Sequence, residues 1–353
     1  MRKLAVSTFQ HNKHTMDQMM LDPINLMIEK IDSGYIHRSV SVDDVPLTEA
    51  LVSCLWRGIT QDVLEERDLK NFTENIFDFA QEYVSPLVQI VQHQRSLFVL
   101  TESLGWTHQS DLHKQINRTI KHFVEGLKDK SEMSPLVEAF LQQGKNPHHY
   151  EENLLWAFSD LLLVGSYTLW VHLQWGLLCL IKYPRWKIAL KQECGQDSKP
   201  LTDAFITEVL RTFVVESKGL SYPVAAANDV QIGDYFLPKD TVIIHMLNEV
   251  MGDPKHFPNP KDFDPTRFVS YQSHDVPIYV FDPRVIPFGV GKRKCIGENI
   301  AKNILSSFLA SLVDRYDILA GGDIKVAFND AAIAKPIPFN VIFKPIRYHN
   351  PCQ

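Results

Sequence analysis

"FGVGKRKCIG", residues 288–297, sets one sulfur, that of Cys295, among two flanking glycines, a guanidinium and a phenyl ring. A cysteine thiolate is a soft, electron-donating ligand, and iron is one of its partners. It needs an electropositive, sheltered setting to stay deprotonated and unoxidised. Gly291 and Gly297 let the backbone turn tightly and come close to a flat group. Amide hydrogens at the start of a helix expected from about Gly297 can face the sulfur and moderate its charge. Arg293 can reach a carboxylate on the rim of such a group, and Phe288 can shield the sulfur from water.

A haem ligated by Cys295 gives each of these residue types a reason. Upstream, "EVLR" places Glu208 and Arg211 three residues apart. On a helix they share a face and can pair. "FDPTRF", with Arg267, follows. Further upstream, Val164-Gly165-Ser166-Tyr167-Thr168 puts a glycine and a hydroxyl inside a long apolar run.

The stretch at 288–297 matches F-x-x-G-x-R-x-C-x-G at every fixed position and resembles the haem-thiolate signature of the cytochrome P-450 family. Glu208 and Arg211 resemble the family's E-x-x-R, and "FDPTRF" its P-x-R-F element, which implies that Arg267 completes a Glu-Arg-Arg network pinning the meander to the helix, a buried charge network costly to break singly. The resemblance covers nearly the whole chain and is strongest to the microsomal animal branch. It implies a mostly α fold with a minor β part, one haem domain over residues 1–353, beginning inside the third main helix and so lacking the N-terminal helices and strands. The implied cofactor is haem (iron protoporphyrin IX), with Cys295 as axial ligand and metal-binding residue. Phe288, Gly291, Arg293 and Gly297 line that cofactor, and Arg293 contacts a propionate.

The implied activity is insertion of one oxygen atom from dioxygen into a small apolar substrate, with electrons from NADPH through a flavoprotein reductase. The cytosolic face of the endoplasmic reticulum is the implied location, with peripheral membrane association, although the family's anchor is absent and a cytoplasmic chain is the alternative. The family's central helix carries [AG]-G-x-[DE]-T over the haem. Here Gly165 and Thr168 persist, while Tyr167 stands where the relay acid belongs. A tyrosine, with an unperturbed pKa near ~10, relays protons less readily at neutral pH than a carboxylate. That departure keeps two other readings open: a degenerate haem-binding or haem-free remnant, and a haem-thiolate isomerase or dehydratase. Val224 stands where relatives often have a basic propionate contact, and Arg2 or Lys3 is the candidate on the first helix. Phe158, Leu162, Val224, Ala225 and Ile337 are the expected substrate wall.

The elements that must position these residues follow from periodicity. Apolar residues at three- and four-residue spacings predict helices over 15–31, 47–66, 71–91, 111–130, about 150–182, 184–193, 201–217 and 298–316. Thr202 is the expected cap of the seventh. "VQIGDYFLPKDTVIIHM" predicts two short strands around a turn, and "DIKVAF" and "IPFNVIFK" two more. "GDPKHFPNPKDFDPTRF" has too many prolines for regular structure. The run Leu161 to Ile181 is long and apolar enough for a membrane span. His172, Gln174, Ser166 and Tyr167 would be costly in lipid, which favours a buried core helix.

Composition narrows the classes further. With 45% apolar and 22% charged residues, the 353-residue chain is an ordinary folded protein. A net charge of −6 gives no reason to expect nucleic-acid binding. Five scattered cysteines with no C-x-x-C predict neither a disulfide framework nor a zinc site, and the expected environment is reducing. The histidines of "HNKH" and His148–His149 read as solvated surface groups, and the sequons at Asn71 and Asn117 mean little without a secretory route.

Overall fold

The computed structural model describes residues 13–91, 94–127, 138, 147–215, 224–273, 275–328 and 333–346. Eleven α-helices lie in these residues. They are α1 Lys13–Gly34, α2 Leu47–Thr60, α3 Glu66–Tyr83, α4 Pro86–Val91, α5 Arg95–Ser103, α6 Gln109–Leu127, α7 Pro147–Lys182, α8 Pro184–Gln192, α9 Pro200–Thr212, α10 Leu247–Met251 and α11 Glu298–Arg315. The strands are β1 Val40–Ser41, β2 Val224–Ala225, β3 Val230–Ile232, β4 Tyr235–Leu237, β5 Val242–Ile243, β6 Val269–Tyr271, β7 Pro277–Tyr279, β8 Tyr316–Ala320 and β9 Asn340–Pro345. The fold is therefore mostly α with small antiparallel sheets.

One three-stranded sheet, in the order β1-β9-β8, closes the C-terminal part on the N-terminal part, with Val40 opposite Val341 and Ile318 opposite Phe343. Three two-stranded ribbons complete the β part: β2-β5, β3-β4 and β6-β7.

The axis of the core is α7. Of its residues from Phe158 to Leu180, only 160, 161, 164, 165, 168 and 172 are not buried. These spacings of three and four trace a single stripe, so the helix is wrapped by the protein on every other side. Among the described residues Leu155–Lys182 is the one helix long and apolar enough to cross a membrane, and 72% of its most apolar window is buried inside the protein. Gly176 lets α11 approach closely: a Cβ there would lie 3.0 Å from Leu309 Cδ1.

Several boundaries differ from the periodic pattern, each for a local reason. Helix α2 stops at Thr60, because Gln61 takes a left-handed conformation with φ 57. The run expected over 71–91 breaks at Ser85-Pro86 into α3 and α4. Helix α9 begins after Lys199, and Thr202 is not its cap. Glu193, from the end of α8, accepts from the Leu201 and Thr202 amides and the Thr202 hydroxyl, each at 2.8 Å. "DIKVAF" forms no strand and contributes only a bridge at Phe328, whereas β8 arises from "YDILA". Arg2, Lys3 and Cys352 lie outside the described residues.

Candidate functional site

The loop bearing Cys295 is built by its glycines. Gly289 and Gly291 both have φ +70, a backbone region that other residues rarely adopt. A 3-10 turn, Gly291–Arg293, then carries the chain to Cys295, whose amide donates to the Phe288 carbonyl at 2.8 Å. Gly297 caps α11, and a Cβ there would lie 3.8 Å from Cys295 Sγ. That is an ordinary van der Waals separation, so residue 297 borders the sulfur directly.

The Cys295 side chain is exposed; Cys54 and Cys179 are buried and Cys194 is half-buried. Burial pushes the Cys54 and Cys179 thiols well above the ordinary range, so neither offers a thiolate. Arg293, two residues before Cys295, is exposed. Phe288 is half-buried against the core, with the Lys302 ammonium 5.6 Å from its ring centre.

The pinning network forms as its residue types require. Arg211 Nε donates to Glu208 Oε2 at 2.7 Å and Nη2 to Oε1 at 2.8 Å, both side chains being almost fully buried. Arg211 also donates to the Met251 and Pro260 carbonyls, both at 2.9 Å. Arg267 reaches Glu208 at 3.4 Å and donates to the carbonyls of Pro258, Asn259 and Asp262. The Asp264 amide adds a bond to Glu208 Oε1 at 2.9 Å. The meander is thus hung on α9 just upstream of the cysteine loop.

Helix α7 separates the residues that are adjacent in sequence. Thr168 lies on the open stripe, its hydroxyl donating to the Val164 carbonyl at 2.7 Å. Tyr167, one residue and about 100° away, points into the core. Its ring packs at 6.0 Å from Phe77 and 5.4 Å from Trp170. Burial, with Asp43 nearby, pushes its phenol up to about 12. The structure therefore does not bring Tyr167 to Thr168's face.

Gly165 also has a packing reason for its glycine: a Cβ would lie 3.1 Å from Leu55 of α2. Of the expected substrate wall, Phe158 and Leu162 are fully buried in the core rather than on the stripe. Ala225 is exposed and Ile337 half-buried. The side chain of Val224 is outside the described residues. Sequence reasoning missed Asp160 and His172 as stripe residues; their signal was the i+4 spacing through Val164 and Thr168.

An exposed thiol on a glycine-built loop, a Glu-Arg-Arg network that hangs the meander on α9, and a long central helix packed on α11 make a specific combination. The family model described as Cytochrome P450 matches residues 1–343. The chain belongs to the cytochrome P450 family.

Among curated proteins it is similar to Cytochrome P450 2C20 of Macaca fascicularis, 29% identical over 307 residues, which are 79% of this chain and 60% of that protein. It is 30% identical to Cytochrome P450 2C15 of Oryctolagus cuniculus over 305 residues, 79% of this chain and 77% of the relative. With Cytochrome P450 2H2 of Gallus gallus it shares 33% identity over 235 residues, 59% of this chain and 46% of the relative. The chain spans about three fifths of the length of the first of these.

Cytochromes P450 depend on haem, and the residues present fit it. The donor is a soft sulfur on an exposed side chain. No group of three or more His, Cys, Asp or Glu side chains among the described residues could hold a free metal ion. A porphyrin supplies its iron's other ligands, which suits a single sulfur donor.

Proposed function

We propose that the protein is a haem-thiolate monooxygenase, inserting one oxygen atom from dioxygen into a small apolar substrate, with electrons from NADPH through a flavoprotein reductase. The observation that carries this reading is the exposed Cys295 thiol on a glycine-built loop at the entry of α11. Cys295 would hold the iron, Arg293 would pair with a propionate carboxylate, and Gly291 and Gly297 would let the backbone come close to the cofactor. When bound, haem supplies the redox chemistry of oxygen insertion. Thr168 supplies a hydroxyl on the stripe that α7 leaves uncovered.

Exposed Lys292 and Arg293 give the cysteine loop the positive surface that an acidic reductase face would meet. Peripheral contact with a membrane, and with it a place at the endoplasmic reticulum, is supported by an exposed apolar group on and after α5. That group is Leu97, Val99, Leu100, Leu104 and Trp106.

A second reading, haem-thiolate chemistry without proton delivery, is favoured by one observation. The stripe's carboxylate, Asp160, lies eight residues before Thr168, about 12 Å along the helix.

The absorbance spectrum of the reduced, carbon-monoxide-bound protein tests the thiolate. A Soret band far to the red of the histidine-ligated position is expected, and Cys295→Ser should abolish it, while serine at Cys54, Cys179, Cys194 or Cys352 should not. A Cys295→Ser protein that retains the thiolate band would show that the ligand is misassigned.

A further inference from the structure

Helices α3 and α6 run antiparallel, and side-chain bonds tie them together at one end. Near the end of α3, Glu82 accepts from the His108 amide at 2.6 Å and from Gln109 Nε2 at 3.0 Å. Gln109 Nε2 also donates to the Phe79 carbonyl at 3.0 Å, and the Phe79 ring lies 6.0 Å from His113. Farther along, Phe72, Ile76, Ile116 and Ile120 are fully buried and keep both helices on the core. Their outer edges part there. Asn71, Glu74 and Asn75 of α3 and Gln115, Arg118 and Thr119 of α6 line an open cavity of about 400 Å³. Each set has the i, i+3, i+4 spacing that gathers three side chains on one helical face.

Every one of these side chains is polar, so the cavity suits a water-soluble ligand and differs in chemistry from a site for an apolar substrate. Its two charges narrow the ligand further. One helix contributes a carboxylate, Glu74, and the other a guanidinium, Arg118. Neither forms a hydrogen bond or ion pair among the described residues, with the other or elsewhere. The neighbouring lysines of α6 are paired on their own helix, Lys114 with Asp111 and Lys121 with Glu125. Glu74 and Arg118 thus present opposite charges to one space from opposite walls. A guanidinium takes a carboxylate through two parallel N–H donors, and a carboxylate accepts from an ammonium. The Asn71, Asn75 and Gln115 amides each offer a donor and an acceptor, as a peptide group requires.

We infer that this groove binds a small zwitterion, an amino acid or a short peptide, with its carboxylate on Arg118 and its ammonium on Glu74. Nothing in this depends on the haem-thiolate reading. Binding makes and breaks no covalent bond and moves no proton. Exposed charges are hydrated and screened, so each contact is weak and the ligand needs both of its charges together.

Calorimetric titration of the purified 353-residue chain tests the site. Glycylglycine should give saturable heat with one site per chain. N-acetylglycine keeps the carboxylate alone and glycinamide the ammonium alone, and each should bind roughly fivefold more weakly. Arg118→Gln should weaken glycylglycine and N-acetylglycine and spare glycinamide, and Glu74→Gln should weaken glycylglycine and glycinamide and spare N-acetylglycine. Both side chains are exposed, so neither substitution should disturb the fold, which circular dichroism checks. Should a variant misfold all the same, the wild-type comparison of the ligands decides alone. Free glycine separates the two sources: tighter binding than glycylglycine assigns an amino acid, weaker binding a peptide. No saturable heat with either zwitterion overturns the inference. So does zwitterion binding no tighter than that of the singly charged compounds, or binding that keeps its full strength in both variants.

Discussion

Thr168 and Tyr167 are neighbours in the chain and strangers in space. One residue of helix turns the side chain by about 100°, enough to carry the hydroxyl to the open stripe and the phenol into the core. Tyr167 keeps its place by packing on Phe77 and Trp170. Its elevated pKa follows from that burial and describes a group that holds its proton. Tyr167→Phe preserves the ring and removes only the oxygen. It is expected to leave the product formed per NADPH consumed unchanged, whereas Thr168→Ala should lower it and raise peroxide release. Measuring both products in parallel decides the matter. Equal uncoupling in the two variants would return the phenol to the proton path.

The meander is hung on α9 by a buried charge network, and this coupling carries a stability prediction. Glu208 is buried, with Arg211, Arg267 and the Asp264 amide all converging on its two oxygens. Arg211→Ala strands that carboxylate and frees the Met251 and Pro260 carbonyls, at a cost of about 3–5 kcal/mol. Arg267 is farther from Glu208 and more exposed, so Arg267→Ala should cost less, roughly 1–3 kcal/mol, the range for losing a charged hydrogen-bond partner. Urea unfolding of the two variants gives the order, and equal losses would show that the meander does not depend on the buried pair.

The network was legible in the sequence because i and i+3 fix a shared helical face. The tight turn at Gly291 was legible because glycine is the residue type for a positive φ. The cap of α9 was not: Glu193 comes from the preceding helix, and no local spacing announces a carboxylate that folds back over a chain turn. The end of α2 at Gln61 was equally hidden, since a left-handed glutamine looks like any helix former. Apolar periodicity predicted that α7 would be buried. Which narrow stripe would stay open depends on what packs around it, and with that stripe the places of Asp160 and His172 were out of reach.

At the scale of the whole molecule, stability should fall as the solution is acidified, beginning above the carboxylate range. His113 of α6 is packed between Trp156, at 4.5 Å, and Phe79, at 6.0 Å. Burial lowers its pKa, and the Asp160 carboxylate only partly opposes this. An imidazole with a folded pKa below its unfolded value near ~6.5 takes up its proton more readily in the unfolded chain. Its contribution is complete at higher pH and is lost as the pH falls through about 6.5 toward the folded value. His172, with a folded pKa of about 4, acts in the same sense and over a wider window.

Asp160 works the other way. Burial raises its pKa, so the folded protein takes up that proton first, which favours folding as the pH falls through the raised value. The lowered carboxylates Asp282 and Glu298 lose their contribution only at and below the ordinary carboxylate range. Between pH ~7.5 and ~5.5 the buried imidazoles therefore set the slope. His113→Phe keeps an aromatic ring against Trp156 and removes the titration. Unfolding free energies from urea curves across that interval should decline for the wild type and decline less steeply for His113→Phe. Parallel declines would mean that His113 is protonated equally in the folded and unfolded chains, and that its packing against Trp156 is looser than the stacked rings indicate.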